Sequence, residues 1–502
     1  MNTADYLLDT AEDNRVALIE NKCLHTYRDL REASARVAAE LLHAGVKPGD
    51  RVGLLGNNSL FWVAAYLATF KLGAVAVPFA TVHPAETIAA QQAFVDCQVM
   101  CTERRLQRRF AAALSSTPLA FVTEDVLEEA GPREWPDTPH WDTRQDAALM
   151  FTSGTTAQPR AVRITHRNIQ ANTSSIIEYL DLGTTDRMMA ILQFYYCFGA
   201  SLLHTHLRVG GSLVLANSFV YPEVVLDLME ATECTGFAGV PSTYQTLLRN
   251  STFPKRQIKS LSKVQQAGGK LQTVLIQELV QAVPYGEVFV MYGQTEATAR
   301  LSYLPPELLH TKLGSIGRGI PGVTLRVMDE SGMEVKPGEV GEIHAWGDNI
   351  SPGYLNEPEA NAQKFVDGAL HTGDLATLDE DGFIYVVDRK ADFIKSYGYR
   401  VSSQQVEGCI VELPEVVAAA VIGEPDLVRG EAIKAFVVLR TGSQLPAEKI
   451  IGHCAARLAS YMVPKDVVFI DQLPINAHGK IVKTELRKLA TPRESSGQGK
   501  LQ

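Results

Sequence analysis

The sequence lacks an excess of basic charge, a long uninterrupted apolar run and any paired arrangement of cysteines. Its 502 residues carry 47 lysines and arginines against 57 aspartates and glutamates, which gives a formal net charge of −10. A general nucleic-acid binder presents a basic surface. We therefore expect no nucleic-acid partner, although the balance leaves room for a local basic pocket that takes an anionic small molecule.

The most apolar stretch, residues 60–80, does not predict a membrane span. Lys71 interrupts it, whereas a span needs about 20 uninterrupted apolar residues. We interpret it as a buried helix over 61–71 followed by a strand over 74–79. Because the first thirteen residues carry acids and no apolar run, we expect no signal peptide and a cytoplasmic protein.

The seven cysteines are scattered along the chain. An odd number without paired spacing is typical of reduced thiols. Cys97 and Cys101 are the only close pair, and no second Cys/His pair lies near them. We interpret these two residues as core packing and not as metal ligands.

The length predicts two or more domains. Through the first three quarters, short apolar runs alternate with helical patterns, which is typical of strands buried on both faces of parallel sheets. From about Gly322 the apolar runs are separated by turn residues at 330–332 and 336–338, which favours antiparallel strands. The predicted fold class is α/β: a large N-terminal domain of parallel-sheet layers with a small β-barrel-like part, then a small α+β C-terminal domain.

The pattern changes again after residue 389, where a small α+β unit begins. We predict helices over 403–411 and 447–459 and strands over 416–422 and 432–439. The predicted division is an N-terminal domain at 1–388, a connection at 389–391, a C-terminal domain at 392–490 and a disordered tail at 491–502. The tail is rich in Ser, Gly and Lys, a composition that cannot form a core.

A hydroxyl-rich segment, Thr152-Ser-Gly-Thr-Thr-Ala-Gln-Pro-Arg160, follows the apolar residues 149–151. Hydroxyl groups and exposed backbone N–H groups on a flexible turn suit the oxygens of a phosphate chain. By composition alone, a polar surface turn is an equally good interpretation. The spacing Gly-x4-Gly-Lys-Ser/Thr is absent, so the segment is not a Walker loop.

This segment resembles the signature loop of the adenylate-forming superfamily, which includes acyl-CoA synthetases, peptide-synthetase adenylation domains and firefly luciferase. Ala157, Arg160 and Ala161 stand where the family pattern has Gly, Lys and Gly. Arg160 keeps the positive charge, while Ala157 disfavours a positive φ. The resemblance implies a set of ATP- and AMP-binding residues in this loop: Thr152, Ser153, Gly154, Thr155, Thr156 and Arg160.

Five further segments resemble family motifs in the family's order, at 266–269, 291–296, 371–374, 387–400 and 473–480. The resemblance implies ATP and Mg²⁺ as cofactors. It assigns Gly268, Gly269, Tyr292 and Gly293 to the nucleotide, Thr295 to the α-phosphate, Glu296 to Mg²⁺, and Asp374 and Arg389 to the ribose. From the residues alone, Glu296 equally fits the acidic first turn of a helix and Asp374 fits a turn.

The resemblance also implies a mobile C-terminal domain. Lys480 is then the catalytic lysine, together with Thr295 and Glu296, and Lys390 and Ala391 form the hinge, where most relatives carry Asp or Lys in place of Ala391. Rotation would bring the thiol-acceptor loop to the site: Ser396, Tyr397 and Gly398. The acceptor would be CoA or the phosphopantetheine of a separate carrier protein.

Residues 193–199 limit the class of acid that the chain can activate, because they contain no carboxylate. Amino-acid adenylating relatives place an aspartate there to pair with the substrate ammonium, and leaving that ammonium unpaired would be costly. We therefore expect a fatty or other non-amino carboxylic acid. The candidate pocket residues, which could instead simply fill core, are Tyr196, Phe198, Ala238, Gly239 and Val240.

The leading hypothesis is an acid–thiol ligase that forms an acyl-adenylate. A stand-alone amino-acid adenylating enzyme that loads a separate carrier protein is the alternative within the same family. From another class, the loop departures and Ala391 leave open a degenerate nucleotide-binding protein without turnover.

Overall fold

The structure, a computed structural model, describes residues 1–115, 118–128, 134–137, 141–152, 160–389, 393–476 and 479–490. The strands up to residue 320 are β1 (Val16–Glu20), β2 (Cys23–Thr26), β3 (Arg51–Leu55), β4 (Val75–Phe79), β5 (Val99–Thr102), β6 (Ala120–Val122), β7 (Asp146–Phe151), β8 (Ala161–Thr165), β9 (Arg187–Ala190), β10 (Ser212–Leu215), β11 (Gly236–Gly239), β12 (Lys263–Gln266), β13 (Glu287–Tyr292), β14 (Ser302–Leu304) and β15 (Arg318–Gly319). The helices of the same region are α1 (Thr3–Leu8), α2 (Tyr27–His43), α3 (Leu60–Lys71), α4 (Ala85–Val95), α5 (Arg104–Leu114), α6 (His166–Leu180), α7 (Cys197–Arg208), α8 (Pro222–Ala231), α9 (Pro241–Asn250), α10 (Phe253–Arg256) and α11 (Thr273–Ala282).

The remaining elements follow in chain order. They are β16 (Val323–Met328), β17 (Gly341–Gly347), β18 (Gly353–Tyr354), α12 (Pro358–Lys364), β19 (Phe365–Val366), β20 (Ala369–Leu378), β21 (Ile384–Arg389), β22 (Ile394–Ser396), β23 (Tyr399–Val401), α13 (Ser403–Val411), β24 (Val416–Asp426), β25 (Gly430–Leu439), α14 (Ala447–Ala455), β26 (Asp466–Phe469) and α15 (Lys483–Ala490). Short 3₁₀ turns lie at Glu124–Glu128, Thr295–Ala297, Pro306–Leu308 and Ser460–Met462.

Two large sheets carry the first part of the chain. Over the described residues, their strand orders are β15-β14-β13-β12-β11-β9-β10-β1-β2 and β18-β8-β7-β4-β3-β5-β6. Neighbouring strands from β10 to β13 run parallel, as do β3, β4, β5 and β6. Antiparallel pairs occur toward the edges, at β1·β2, β7·β8 and β13·β14. The prediction of parallel sheets with helices between strands is confirmed.

Helix α3 explains why the most apolar stretch of the chain is core and not a membrane span. Residues 61–71 are all buried in this helix. Lys71 reaches Asp5 of α1 with an Nζ–Oδ1 distance of 2.7 Å. Among the described residues, no helix combines the length and the apolar character needed to cross a bilayer. The cytoplasmic location stays a prediction.

Two smaller sheets follow. β16, β17, β20 and β19 form one antiparallel sheet to which β21 adds beside β20. β23, β22, β25 and β24 form the other, with β26 parallel to β25. These sheets complete the predicted α/β class, which is confirmed. The predicted division at 388–391 stays a prediction.

Two details of the C-terminal prediction were wrong in extent. The helix predicted to reach residue 459 ends at Ala455, and a 3₁₀ turn follows at Ser460–Met462, before Pro464. Strand β24 continues to Asp426, beyond the predicted residue 422, because its whole length pairs with β25. Pairing with a neighbouring strand, which sequence periodicity does not contain, extends the strand.

Two buried histidines of the α-helical core make stability sensitive to acid. Burial lowers the pKa of His166 and that of His204 to about 3, whereas an unfolded histidine titrates near 6.5. Between these values the unfolded chain binds more protons, so stability is complete above about pH 6.5 and falls as the pH decreases toward 3. We expect each histidine to account for a loss of about 2 kcal/mol between pH 7 and pH 5.

Urea unfolding of wild type and His204→Gln at the two pH values measures this loss. The variant should lose less stability than wild type between pH 7 and pH 5. His310→Gln is the control, because His310 is exposed and should follow the wild-type curve. An unchanged pH dependence in His204→Gln would contradict the assignment.

Candidate active site

The candidate site lies where parallel strands of the nine-stranded sheet end side by side. β13, β12, β11 and β9 are consecutive neighbours in that sheet. Their carboxyl ends therefore meet at one edge, which is where α/β folds place ligands. Tyr292 ends β13, Gly268 follows β12, Val240 follows β11, and Tyr196 lies between β9 and α7. Residues far apart in sequence are thus gathered by the parallel register.

A cleft opens at this edge. Six residues predicted to bind nucleotide or to act in catalysis line it: Gly268, Gly269, Tyr292, Gly293, Asp374 and Lys480. Lys270 and Gln404 also line it, and the sequence did not single them out. Burial lowers the pKa of Lys270, while Asp388 and Glu407 act in the opposite direction. Lys270 directly follows the Gly268-Gly269 pair, and no spacing rule marks such a lysine.

Gly268 shows why this edge needs a residue without a side chain. Its φ is +88°, and a Cβ there would lie 2.8 Å from Cγ1 of Val240 and 3.2 Å from Oη of Tyr196. An L-residue would be strained by the positive φ and would collide with Val240. Because Gly268 has no side chain, the end of β12 can lie close to Val240 and Tyr196, which are two of the predicted pocket residues.

Asp374 lies on β20, opposite Arg389 of β21 in the antiparallel register. The Tyr292 hydroxyl donates to Oδ2 of Asp374 across 2.6 Å. The predicted adenine-side tyrosine and the predicted ribose carboxylate are therefore in direct contact. Asp374 is 7% exposed, so its carboxylate is held inside the cleft and not in a surface turn.

Glu296 lies in the 3₁₀ turn Thr295–Ala297, not in an α-helix. The Tyr354 hydroxyl donates to Oε1 of Glu296 across 2.7 Å. Burial, reinforced by the Glu296 carboxylate, raises the pKa of Tyr354, so its hydroxyl stays protonated and remains a donor. Within the described residues, no lysine or arginine forms an ion pair with Glu296. A carboxylate whose charge is not matched by a side-chain cation fits the hard oxygen ligation that Mg²⁺ requires.

Tyr354 is a residue that sequence reasoning missed. It belongs to the two-residue strand β18, which pairs with β8, and β8 begins directly after the hydroxyl-rich loop. The guanidinium of Arg160 lies 5.1 Å from the centre of the Tyr354 ring, and its Nε lies 2.9 Å from Oε2 of Glu357. Arg160 thus borders the Glu296–Tyr354 pair. Only the pairing of β8 with β18 brings these residues together.

The hydroxyl-rich loop connects two antiparallel strands, β7 and β8. The Thr152 N–H donates to the Arg160 carbonyl across 3.0 Å, so both ends of the loop are fixed side by side. Ser153, Gly154, Thr155 and Thr156 lie outside the described residues, and so does Ala157. Their predicted contacts with phosphate stay predictions.

Thr295, predicted to contact the α-phosphate, donates from Oγ1 to Sγ of Cys197 across 3.5 Å. Cys197 is the first residue of α7. Burial raises the pKa of its thiol, while Thr295 and the Lys480 charge act in the opposite direction. Thr295 therefore contacts the first residue of α7, and of these two predicted catalytic residues Lys480 is the one that lines the cleft.

The Lys480 loop is packed against the large N-terminal part of the chain. Gly479 has a φ of +73°, and a Cβ on it would lie 2.8 Å from Cγ2 of Val240. The Ser242 hydroxyl donates to the Gly479 carbonyl across 3.0 Å. The Lys480 N–H donates to Oδ1 of Asn476 across 3.0 Å. These contacts hold the loop in a tight turn that delivers Lys480 to the cleft.

A second contact between the two parts of the chain is made by Arg249, whose side chain is 1% exposed. Its Nη2 lies 2.6 Å from Oε1 of Glu278. Its Nη1 donates to the carbonyls of Val411 at 3.1 Å and Leu413 at 3.0 Å, and also to that of Val416. Arg249 therefore supplies positive charge to the carboxyl end of α13, where helix carbonyls lack partners.

One group of predicted residues is not brought to the cleft, and a second group lies outside the described residues. Tyr397 and Gly398 have φ values of +51° and +83° and form the turn between β22 and β23, and Ser396 is buried. Among the described residues that line the cleft, none comes from this turn. The hinge residues Lys390 and Ala391 lie outside the described residues, and of Arg389 only the backbone position is described.

The candidate acid pocket is closely packed. Ala238, Val240, Tyr196 and Phe198 are all less than one tenth exposed, and Gly239 is buried. The Tyr196 and Phe198 rings meet edge to face with their centres 6.5 Å apart. These residues lie beside the cleft through the contact of Tyr196 and Val240 with Gly268. Their packing fits both a narrow substrate pocket and an ordinary core.

The fold and the cleft together define a member of the adenylate-forming superfamily. The chain matches the AMP-binding enzyme family over residues 9–355 and the AMP-binding enzyme C-terminal domain over residues 405–480. It therefore belongs to the family of AMP-binding enzymes, and the resemblance stated from the motifs is confirmed.

Two curated relatives are similar along most of their length. The chain is 34% identical to a feruloyl-CoA synthase of Amycolatopsis sp over 92% of this chain and 93% of that protein. It is 31% identical to a 2-succinylbenzoate–CoA ligase of Bacillus thuringiensis subsp. konkukian (strain 97-27), with the same two coverages.

Two solved structures are similar in fold. One is the anthranilate CoA ligase AuaEII in complex with anthranoyl-AMP, with a TM-score of 0.90, 25% identity and coverage of 98% of this chain and 97% of that chain. The other is the o-succinylbenzoate coenzyme A synthetase of Bacillus subtilis in complex with ATP and a magnesium ion, with a TM-score of 0.85, 29% identity and coverage of 96% and 99%.

Proposed function

We propose that this chain is an AMP-forming acid–CoA ligase. It would activate a non-amino carboxylic acid as the acyl-adenylate, release pyrophosphate and transfer the acyl group to the thiol of CoA. The observation that carries the proposal is the presence of Lys480 in the same cleft as Tyr292 and Asp374. A lysine from near the end of the chain thereby faces the predicted nucleotide site.

The chemistry demands positive charge at this point. A carboxylate that attacks the α-phosphorus joins two anions, so the electrostatic cost dominates the barrier. Lys480 would stabilise the charge on the α-phosphate, and Arg160 would face the leaving pyrophosphate. No general base is required, because the attacking acid is already ionised at pH 7.

The remaining residues would hold the nucleotide. Asp374 would accept from the ribose hydroxyls while Tyr292 fixes the orientation of its carboxylate. Gly268 and Gly269 would let the adenine lie against the backbone. Glu296 would hold Mg²⁺, with Tyr354 orienting its carboxylate. When bound, this ion neutralises part of the negative charge of the phosphate groups.

The relatives support CoA as the acceptor, because those named above are CoA ligases. For the second half-reaction, the C-terminal domain would rotate about 389–391 and bring the turn at Tyr397 to the cleft. The turn lies outside the cleft in the structure, which fits a molecule arranged for the first half-reaction. A separate carrier protein remains the alternative acceptor.

We propose a compact acid that carries an aromatic ring. The three relatives named above for an aromatic acid carry feruloyl, 2-succinylbenzoate and anthranilate in their names. The pocket beside Gly268 is bounded by Tyr196 and Phe198, whose rings can pack edge to face with another ring. The close packing of these residues argues against a long acyl chain.

ATP–pyrophosphate exchange tests the proposal directly. The panel contains substituted benzoates and cinnamates, hexanoate and octanoate, and the standard amino acids. We expect exchange with one or more aromatic acids, and then thioester formation from the trapped adenylate with CoA. Exchange with fatty acids alone would overturn the aromatic assignment, and exchange with amino acids alone would overturn the non-amino assignment.

Two further outcomes are informative. Thioester formation with a phosphopantetheine carrier and not with CoA would show that the acyl acceptor is a carrier protein. If the folded chain binds ATP but exchanges pyrophosphate with no acid, the degenerate nucleotide-binding alternative is favoured.

A further inference from the structure

A second cluster of polar side chains lies on β17 and β20, away from the cleft lining. Burial alternates along β20, so that Asp374 is buried and His371 is half-exposed. On β17 the half-exposed positions include Glu342 and His344. Side chains two residues apart on a strand point to the same face. This face therefore carries three side chains that the proposed reaction does not use.

The strand register brings the two histidines together. His344 and His371 are direct cross-strand partners. Their rings are stacked with centres 3.8 Å apart and an angle of 16° between the planes. A carboxylate oxygen of Glu342 and one nitrogen of each imidazole all lie within 4.8 Å of one another. The register of the β17·β20 pair shifts between Glu342 and His344, and Glu342 lies opposite Leu375.

The cluster contains one carboxylate, and two basic side chains, Lys364 and Arg326, lie near it. Within the part of the chain that the structure describes, no lysine or arginine forms an ion pair with Glu342. Oε1 of Glu342 accepts from the Gly373 N–H across 2.9 Å. Arg326, opposite His344 on the neighbouring strand β16, lies 5.9 Å over the Trp346 ring. The Lys364 ammonium donates to the Thr372 carbonyl across 2.8 Å, and the Arg326 guanidinium is directed to an aromatic ring, so neither of these described side chains forms an ion pair with the carboxylate.

The stacked imidazoles can act as neutral ligands. A neutral imidazole keeps a lone pair for a metal ion. Two imidazoles and one carboxylate are a ligand set of zinc and related transition metals, whereas Mg²⁺ prefers oxygen ligands alone.

We propose that Glu342, His344 and His371 form a binding site for one divalent transition-metal ion such as Zn²⁺. With metal–ligand bonds of about 2.0–2.1 Å, tetrahedral ligand atoms lie about 3.3 Å apart. The three ligand atoms now lie within 4.8 Å of one another, and rotation of the half-exposed side chains brings them to this shorter distance. Water completes the coordination, since the face is open to solvent. The ion bridges β17 to β20, the strand that carries Asp374, and it is separate from the Glu296 site.

Calorimetric titration of the untagged, metal-free chain with Zn²⁺, without ATP or acid, tests this site. We expect one equivalent to bind to wild type. His344→Ala and His371→Ala should weaken binding at least about 100-fold, and Glu342→Gln about 10-fold or more, because each removes a direct ligand. Co²⁺ should bind at the same stoichiometry and give visible absorption bands that the histidine variants lack.

His453→Ala is the matched control. His453 also lies near possible ligands, Cys409 and Glu412, but its Nε2 is 3.0 Å from Oε2 of Glu412, and Nε of Arg457 is 3.0 Å from the same oxygen. The positive charge of the Arg457 guanidinium repels a second cation at this cluster. His453→Ala should therefore bind Zn²⁺ as wild type does.

The proposal is overturned if wild type binds no Zn²⁺ at micromolar concentration, or if His344→Ala binds it as tightly as wild type. A loss confined to His453→Ala would place the ion at the other cluster and would equally overturn it. Urea unfolding and ATP binding of each variant show that the fold is intact. Because no turnover is measured, the result is independent of whether the chain proves to be a ligase.

Discussion

Replacing Lys480 with alanine should slow acyl-adenylate formation about 10²–10³-fold. The ammonium would interact most strongly with the charge that develops at the α-phosphate, so its loss removes an interaction made mainly in the transition state. Substrate binding should change little. ATP–pyrophosphate exchange with the acid identified in the panel measures the effect, with ATP affinity determined separately by calorimetry.

The structure offers a matched control for charge in the cleft. Lys270 lines the same cleft but lies next to the glycines predicted to face adenine. Lys270→Ala should therefore raise the KM for ATP more than it lowers kcat. Thioester formation from preformed acyl-adenylate, in which the thiol attacks the acyl carbon and AMP leaves, should remain near the wild-type rate in Lys480→Ala, because the proposed rotation of the C-terminal domain withdraws Lys480 before this half-reaction. A pyrophosphate exchange rate of Lys480→Ala within threefold of wild type would contradict the catalytic role of Lys480.

Gly293→Ala should be among the most damaging methyl additions in the chain. A Cβ on Gly293 would lie 1.8 Å from the carbonyl oxygen of Ala299 and 2.9 Å from Cα of Arg300. Both atoms belong to the backbone, so no side-chain rotation relieves the clash. We expect the free energy of unfolding to fall by about 3 kcal/mol or more. The displaced backbone would also move Tyr292 away from Asp374 and weaken ATP binding.

Urea unfolding and ATP calorimetry measure these two effects together. Gly452→Ala is the matched substitution. Gly452 lies inside α14, and a Cβ there would have no heavy atom within 4 Å. The same added methyl group should stabilise that helix by about 0.5–1 kcal/mol. Equal effects of the two substitutions would show that the contact of Gly293 with Ala299 does not constrain this part of the fold.

Local patterns predicted the elements well where burial dominates. The apolar run at 61–71 is a helix with no exposed face, and the parallel strands follow their apolar runs, because a strand buried on both faces must be apolar throughout. Strand β20 was not predicted. Its Thr372-Gly-Asp374 segment has turn-like composition, and pairing with both β17 and β21 makes it a strand.

The residues of the candidate site also divide into those that short motifs identify and those that only tertiary contacts bring together. Short motifs identified Tyr292, Asp374 and Lys480, because each motif keeps its functional residue beside the turn residues that position it. Tyr354 and Arg249 could not be identified in this way. Tyr354 meets Glu296 across 58 residues of sequence, and Arg249 meets Val411 across 162. Such contacts depend on how sheets and domains pack, and no local pattern encodes them.

By itself, the sequence determined the α/β class, the family and the residue types available for adenylate chemistry, since apolar periodicity and short motifs are local properties. The tertiary structure alone decided where those residues meet. It placed the strand ends β9, β11, β12 and β13 at one edge, directed Lys480 into the cleft through the close contact of Gly479 with Val240, and stacked His344 on His371. Each of these outcomes follows from strand register and backbone approach, which arise only when distant segments pack together.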